Sequence, residues 1–144
     1  MSYLLSHPGL VWQLTQEHLA MVGMTLGIAV VLALPLALLI HQVRWLALPV
    51  MGILSILYTV PSLALIILLV PWFGLNARSV VVAMVIYTQV ILVRHFCVGL
   101  RSVEPAILEA AKGMGMNLWQ RWWQVQVPLM LPIVLAGLRL AAIV

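Results

Sequence analysis

Charge is what this chain has least of. Of its 144 residues, 7% are Asp, Glu, Lys or Arg and 65% are hydrophobic, and mean hydropathy is +1.20. A soluble domain of this length has nowhere to bury so much apolar surface, so lipid must solvate most of it. Cysteine is almost missing. The single Cys97 excludes an internal disulfide and a Cys-rich metal site, and near a membrane end it reads as a buried, inert thiol. The four histidines, His7, His18, His41 and His95, lack metal-ligand spacing, and no metal site is expected. The one lysine, Lys112, precedes Gly113 rather than Ser or Thr, so the Gly-x-x-x-x-Gly-Lys-[Ser/Thr] phosphate loop is absent. There is no Gly-x-Ser-x-Gly motif, and the carboxylates (Glu17, Glu104, Glu109) are not paired within a membrane run. These gaps argue against an enzyme. The opening residues carry no Lys or Arg, so a cleavable signal peptide with a basic start is not expected.

What is present is a set of long apolar runs. They cover about 19–40, 45–70 and 79–100, with a fourth from 127 to 144 that stops without a polar residue. A membrane core of about 30 Å needs roughly 20 helical residues. The first three runs satisfy that, and the fourth reads as incomplete, as in a fragment of a longer chain with further spans. The expected fold is all-α: one transmembrane domain over 1–144, a polytopic helical bundle. With the N-terminus outside, Arg44, Arg94, Arg101, Lys112 and Arg121 fall inside and Arg78 alone outside. Basic residues are retained on the cytoplasmic side, which selects that orientation and makes residues about 101–126 cytoplasmic.

Prolines at 35, 49, 61 and 132 fall inside the runs and are expected to kink them. Bilayers tolerate such breaks where neighbours or water satisfy the freed carbonyls. Tyr58-Thr59-Val60-Pro61-Ser62 clusters polar groups at one break, which reads either as a translocation-path lining or as a kinked helix packed on its neighbour. Gly23-x-x-x-Gly27 fits close helix approach. Trp45, Trp72 and Phe73 fall at span ends, where aromatic belts are expected.

The loop 102–126 is the only sizeable non-membrane stretch, and it has helical character. Glu104-Pro105 suits a helix start, and Gly113 and Gly115 suit its end through a left-handed backbone. Asn117 and Gln120 offer a capping box for a second short helix against the inner membrane face. Ala110 and Ala111 leave a small-sided surface that a partner can approach, and Glu109 offers one charge to it. Trp119, Trp122 and Trp123 share spacing i, i+3, i+4 and read as a packing or interfacial face.

Glu109-Ala110-Ala111, then Gly115, then Val127-Pro128 resembles the EAA loop of membrane subunits of binding-protein-dependent ABC importers. The likeness extends through Val60-Pro61-Ser62-Leu63-Ala64-Leu65, Val93-Arg94, Val103-Glu104-Pro105-Ala106, Gly113-Met114-Gly115-Met116 and Pro128-Leu129-Met130-Leu131-Pro132 to Ala136-Gly137-Leu138-Arg139. Those segments resemble the osmoprotectant branch, which serves glycine betaine, choline or carnitine uptake. The match covers most of the chain from Leu19. Two positions depart from the branch: His95 stands where it usually has Asn, and Leu140 where it usually has Thr.

The resemblance implies the type I importer permease fold in a bacterial cytoplasmic membrane, with a coupling helix that docks on a separate ATPase subunit. Glu109, Ala110, Ala111, Gly113 and Gly115 are the implied docking residues. The implied partners are the ATPase, a second permease subunit and an extracytoplasmic solute-binding protein, with no nucleic acid. ATP belongs to the partner, and this chain binds no cofactor of its own. Tyr58, Thr59, Pro61, Ser62 and Arg139 are the path candidates. Arg139 lies about 16 Å into the fourth run, where insertion of arginine costs on the order of 2.5–3.5 kcal/mol; it reads as protein-facing or pore-facing, or else as snorkelling. Arg94 and His95, near the inner end of the third run, read as snorkelling. Tyr58, Tyr87 and Trp72 could offer a cation–π contact to a quaternary ammonium, but aromatics in membrane helices mostly pack or anchor.

Other classes remain open on sequence grounds. A permease for another small solute, such as an amino acid, would share the loop, as would a non-functional permease fragment. A secondary transporter would need midplane ionisable groups, and beyond Arg139 this chain offers none.

Overall fold

The computed structural model describes residues 8–144, and everything in them that is regular is helical. His7 falls outside the described residues. The elements are α1 (Pro8–Gln42), a 3₁₀ turn (Arg44–Leu46), α2 (Ala47–Thr59), α3 (Ser62–Phe73), α4 (Ala77–Ser102), α5 (Pro105–Gly113), α6 (Leu118–Arg121), a π turn (Trp122–Gln126) and α7 (Val127–Ile143). Among the described residues, three helices are long and apolar enough to cross a membrane: α1, α4 and the continuous Leu118–Ile143. The all-α polytopic bundle is therefore the observed architecture.

α4 is the centre of the bundle, with buried residues along its whole length from Ser79 to Leu100. α1 reaches it through a stripe of small residues four apart: Thr25, Ala29, Ala33 and Ala37. The three alanines are wholly buried. Their missing bulk lets α4 side chains reach the α1 backbone. Gln89 Nε2 donates to the Ala29 carbonyl at 3.1 Å, and Cys97 Sγ donates to the Ala37 carbonyl at 3.8 Å. This is the small-residue approach typical of membrane helices, but it does not use the expected glycines. A Cβ added at Gly23 or Gly27 would meet nothing within 4 Å. Glycine spacing alone does not say which face meets a neighbour.

Both α1–α4 contacts join residues 60 apart in sequence, so the two helices run parallel. The chain leaves α1 at one end of the bundle and enters α4 at the other. The intervening segment must therefore climb from one face to the opposite one. It does so as a broken pair: Arg44–Thr59 and Ser62–Phe73 meet at 97°. The expected span over 45–70, with its break at Tyr58–Ser62, takes the form of these two helices, which cross the bundle together. The break sits at Val60 (ψ 128°) and Pro61 (ψ 135°), both extended. A residue before proline is pushed out of the helical region, and proline itself lacks the donor needed to continue.

The other prolines do not interrupt their helices. Pro49 lies in the first turn of α2, while α1 runs on through Pro35 and α7 through Pro132. The fourth run also begins earlier than expected, at Leu118 rather than Val127. Nothing between Asn117 and Val127 breaks a helix. The π turn, with Val127 N–H bonded to the Trp122 carbonyl, widens the ladder where Pro128 would clash with the carbonyl four residues back.

Asn76 starts α4: its side chain accepts from the Arg78 amide at 2.8 Å, and its Nδ2 donates to the Phe73 carbonyl at 2.9 Å. Asn76→Ala removes the cap and is expected to destabilise the domain by about 0.5–2 kcal/mol. Thermal unfolding in detergent should show it, and an unchanged transition would mean that the cap contributes nothing.

Candidate functional site

At the end of the bundle shared by Gln42 and Ser102 the chain builds a compact helical knuckle. α5 begins with Pro105 in its first turn, behind Glu104. It stops in a Schellman arrangement: Met116 N–H bonds the Ala111 carbonyl at 3.2 Å and Gly115 N–H bonds the Lys112 carbonyl at 3.0 Å. Gly115 has φ +82° and no Cβ to strain there; it alone makes the left-handed step, since Gly113 stays within the helix. Asn117 then caps α6 with both bonds of the capping box, each 2.9 Å. α6 is not the separate surface helix expected from sequence, because it continues through the π turn into α7.

Of the residues expected to dock a partner, Glu109, Ala110, Gly113 and Gly115 are exposed. Ala111 is not. At 1% exposure it faces the chain's own interior, which corrects the expectation that both alanines are open to a partner. The tryptophans also divide. Trp119 and Trp123 stack at 6.4 Å with planes 2° apart and stay exposed, whereas Trp122 packs onto the core. Trp122 and Trp123, adjacent in sequence, point about 100° apart around a helix, so they lie at opposite edges of the shared face, Trp122 at the inner one.

A second feature is a groove open on the side of the bundle, where Tyr58, Thr59, Arg94 and Leu140 are exposed. Ser55, Tyr58 and Thr59 of α2, Val90, Ile91, Arg94 and His95 of α4, and Leu140 of α7 line a cavity of about 410 Å³. Tyr58 tilts against Tyr87 with ring centroids 5.5 Å apart. Thr59 Oγ1 turns back to donate to the Ile56 carbonyl at 2.7 Å. His95 Nδ1 lies 2.8 Å from the Ile91 carbonyl, so this nitrogen is the donor and Nε2 is left as acceptor while the ring is neutral.

The structure thus brings together two of the five path candidates, Tyr58 and Thr59. Pro61 and Ser62 form the exposed break just beyond them, and Arg139 is exposed on α7 outside the cavity. Arg94 and His95, which sequence reasoning set aside as snorkelling, belong to the cavity wall. Arg94 lies eight residues, about 12 Å, inside the end of α4. That depth was legible, but the facing hydroxyls of another helix were not.

A membrane helical bundle with a loop of this form at its basic end is the architecture of a transport component. The chain belongs to the family of binding-protein-dependent transport system inner membrane components, which it matches over residues 4–144. It is 36% identical over 146 residues to the osmoprotectant import permease protein OsmW of Salmonella typhimurium, covering 98% of this chain and 68% of that protein. It is 34% identical over 131 residues to the carnitine transport permease protein OpuCB of Listeria monocytogenes (90% and 59%). To the glycine betaine/carnitine/choline transport system permease protein OpuCB of Bacillus subtilis it is 30% identical over 143 residues (99% and 66%). The chain therefore spans about three-fifths to two-thirds of the length of these relatives.

Proposed function

We propose that the chain is a permease subunit of an ATP-driven importer for a small compatible solute of the glycine betaine, carnitine or choline kind. The supporting observation is the knuckle: a short helix ended by a Schellman glycine, anchored inward by Ala111 and presenting Glu109, Ala110, Gly113 and Gly115 outward. A rigid exposed turn suits the transmission of movement from a nucleotide-hydrolysing partner, and relatives that import osmoprotectants support the solute class. In this reading the chain binds no cofactor, and ATP is used by the partner subunit. The end bearing Arg44, Arg101, Lys112 and Arg121 is cytoplasmic, and the N-terminus is outside. Two permease subunits line the path, alternating access follows the approach of the two knuckles, and a solute-binding protein delivers substrate. Tyr58, Thr59, Pro61, Ser62 and Arg139 border the path in this reading.

Glu109→Lys and Gly115→Trp test the proposal in the full-length permease. Both are expected to insert normally yet lose co-purification with the ATPase by at least about tenfold, equivalent to 1.4 kcal/mol. Wild-type recovery of the complex and wild-type uptake in both variants would remove the knuckle from the mechanism.

A further inference from the structure

Resting on the cytoplasmic placement in that reading, we infer that the groove between α1, α4 and α6 holds one anionic phospholipid of the inner leaflet, its phosphate on rim arginines and an acyl chain along the apolar wall. The groove has a volume of about 440 Å³. Leu38 of α1, Leu100 of α4, and Leu118, Trp119 and Trp122 after the knuckle form its apolar wall, while His41 and Gln42 line it at the end of α1. Along α1 the lining thus changes from a leucine to two hydrogen-bonding groups within about 6 Å. That is the profile of a bilayer interface, where a lipid passes from hydrocarbon to headgroup. Trp119, exposed and stacked on Trp123, offers an indole at that level, with an apolar ring and a polar N–H.

Charge selects the kind of lipid. Each of the three walls carries an arginine beside its lining residues: Arg44 two positions after Gln42, Arg101 directly after Leu100, and Arg121 directly before Trp122. Arg44 and Arg101 are exposed, and Arg121 is half-buried. Arg121 Nε is enclosed with no hydrogen-bond partner among the described residues, which leaves the terminal nitrogens of that guanidinium to take an anion. No acidic residue lines the groove. Glu104 and Glu109, the acids of this end, sit on α5 and its cap, which contribute nothing to the wall. A guanidinium meets phosphate oxygens with paired, charge-assisted hydrogen bonds, and basic pockets between membrane helices on the cytoplasmic side collect anionic headgroups. A zwitterionic headgroup brings its own cation to the same rim and cancels much of that attraction. A phosphate without an acyl chain leaves the leucine and tryptophan wall uncovered and forgoes its apolar burial.

The test follows lipid retention by native mass spectrometry on the full-length permease, alone and with its ATPase, delipidated and then titrated with dioleoyl phosphatidylglycerol or dioleoyl phosphatidylcholine. Phosphatidylglycerol is expected to bind at least about tenfold more tightly, a ratio equal to 1.4 kcal/mol, with one such site in each permease chain. Arg101→Gln combined with Arg121→Gln should make the two lipids equal. Arg78→Gln, at the opposite end of α4, should leave the preference intact, and excess glycerol phosphate should not displace the lipid. Equal retention in the wild type, a preference that survives the double variant or vanishes with Arg78→Gln, displacement by glycerol phosphate, or expulsion of the lipid when the ATPase binds would each overturn the assignment. The wild-type comparison decides even if the double variant fails to assemble. A complex that couples to its ATPase yet retains both lipids alike defeats only the lipid site. A permease that never binds an ATPase defeats the transport reading itself.

Discussion

Gly137→Leu is expected to prevent stable docking of α7 on α4. A Cβ at Gly137 would lie 2.6 Å from His95 Cβ and 2.7 Å from its Cγ, well inside van der Waals contact. His95 cannot swing clear, because its Cβ is fixed to the backbone and its Nδ1 is held to the Ile91 carbonyl at 2.8 Å. The helices themselves must part, which also disturbs Met130 and Ala141, both buried in the same core. Overpacking typically costs about 1–3 kcal/mol, and a leucine adds more volume than most such insertions. Recovery of monodisperse protein in detergent should collapse for Gly137→Leu and fall in part for Gly137→Ala. Gly99→Ala is the milder case: its added Cβ meets Met130 Cβ at 3.2 Å, a few tenths of an ångström too close, and the two helices relieve it by a small shift at the lower end of the about 1–3 kcal/mol that overpacking costs. Normal recovery of Gly137→Leu would show that α7 does not pack on α4 in this register.

The helical class and the knuckle were readable because each depends on local chemistry. Long apolar runs define membrane helices without knowledge of their neighbours, and Asn117, Gln120 and Gly115 act within a few residues of themselves. Pairing faces were a different matter. The Ala29-Ala33-Ala37 stripe is as regular as Gly23-x-x-x-Gly27, yet only the stripe is buried. The choice is made by Gln89 and Cys97 on a helix 60 residues away. Arg94 is exposed, as a snorkelling arginine near a helix end is expected to be; what was not legible is that it faces Ser55, Tyr58 and Thr59 across a groove. Proline was visible, but its effect was not. Only Pro61 breaks its helix, and the packing around α3 holds that break open.

That balance at Pro61 gives the other large effect. Pro61→Ala is expected to split the segment between bent and straight forms. Alanine restores an amide donor that can bond the Leu57 carbonyl, and it frees Val60 from the pre-proline restriction. In a helix interior alanine is favoured over proline by about 3 kcal/mol. Opposing this, the bent form buries Leu65 against Ala83 and Tyr87, worth about 1.5–3 kcal/mol for a side chain of that size. With the proline penalty gone, this packing term stands against the two or three helical hydrogen bonds regained across the break, about 0.5–1.5 kcal/mol each, so neither form should dominate. Spin labels at the exposed positions Ile53 and Ile67, in a chain with Cys97 replaced by alanine, would report the outcome. The 97° bend places those backbone positions about 14 Å apart, against about 21 Å along a straight helix. Wild type should give the shorter distance alone and Pro61→Ala a mixture of both. A single short distance in the variant would mean that packing of α3 on α4, rather than proline, sets the break.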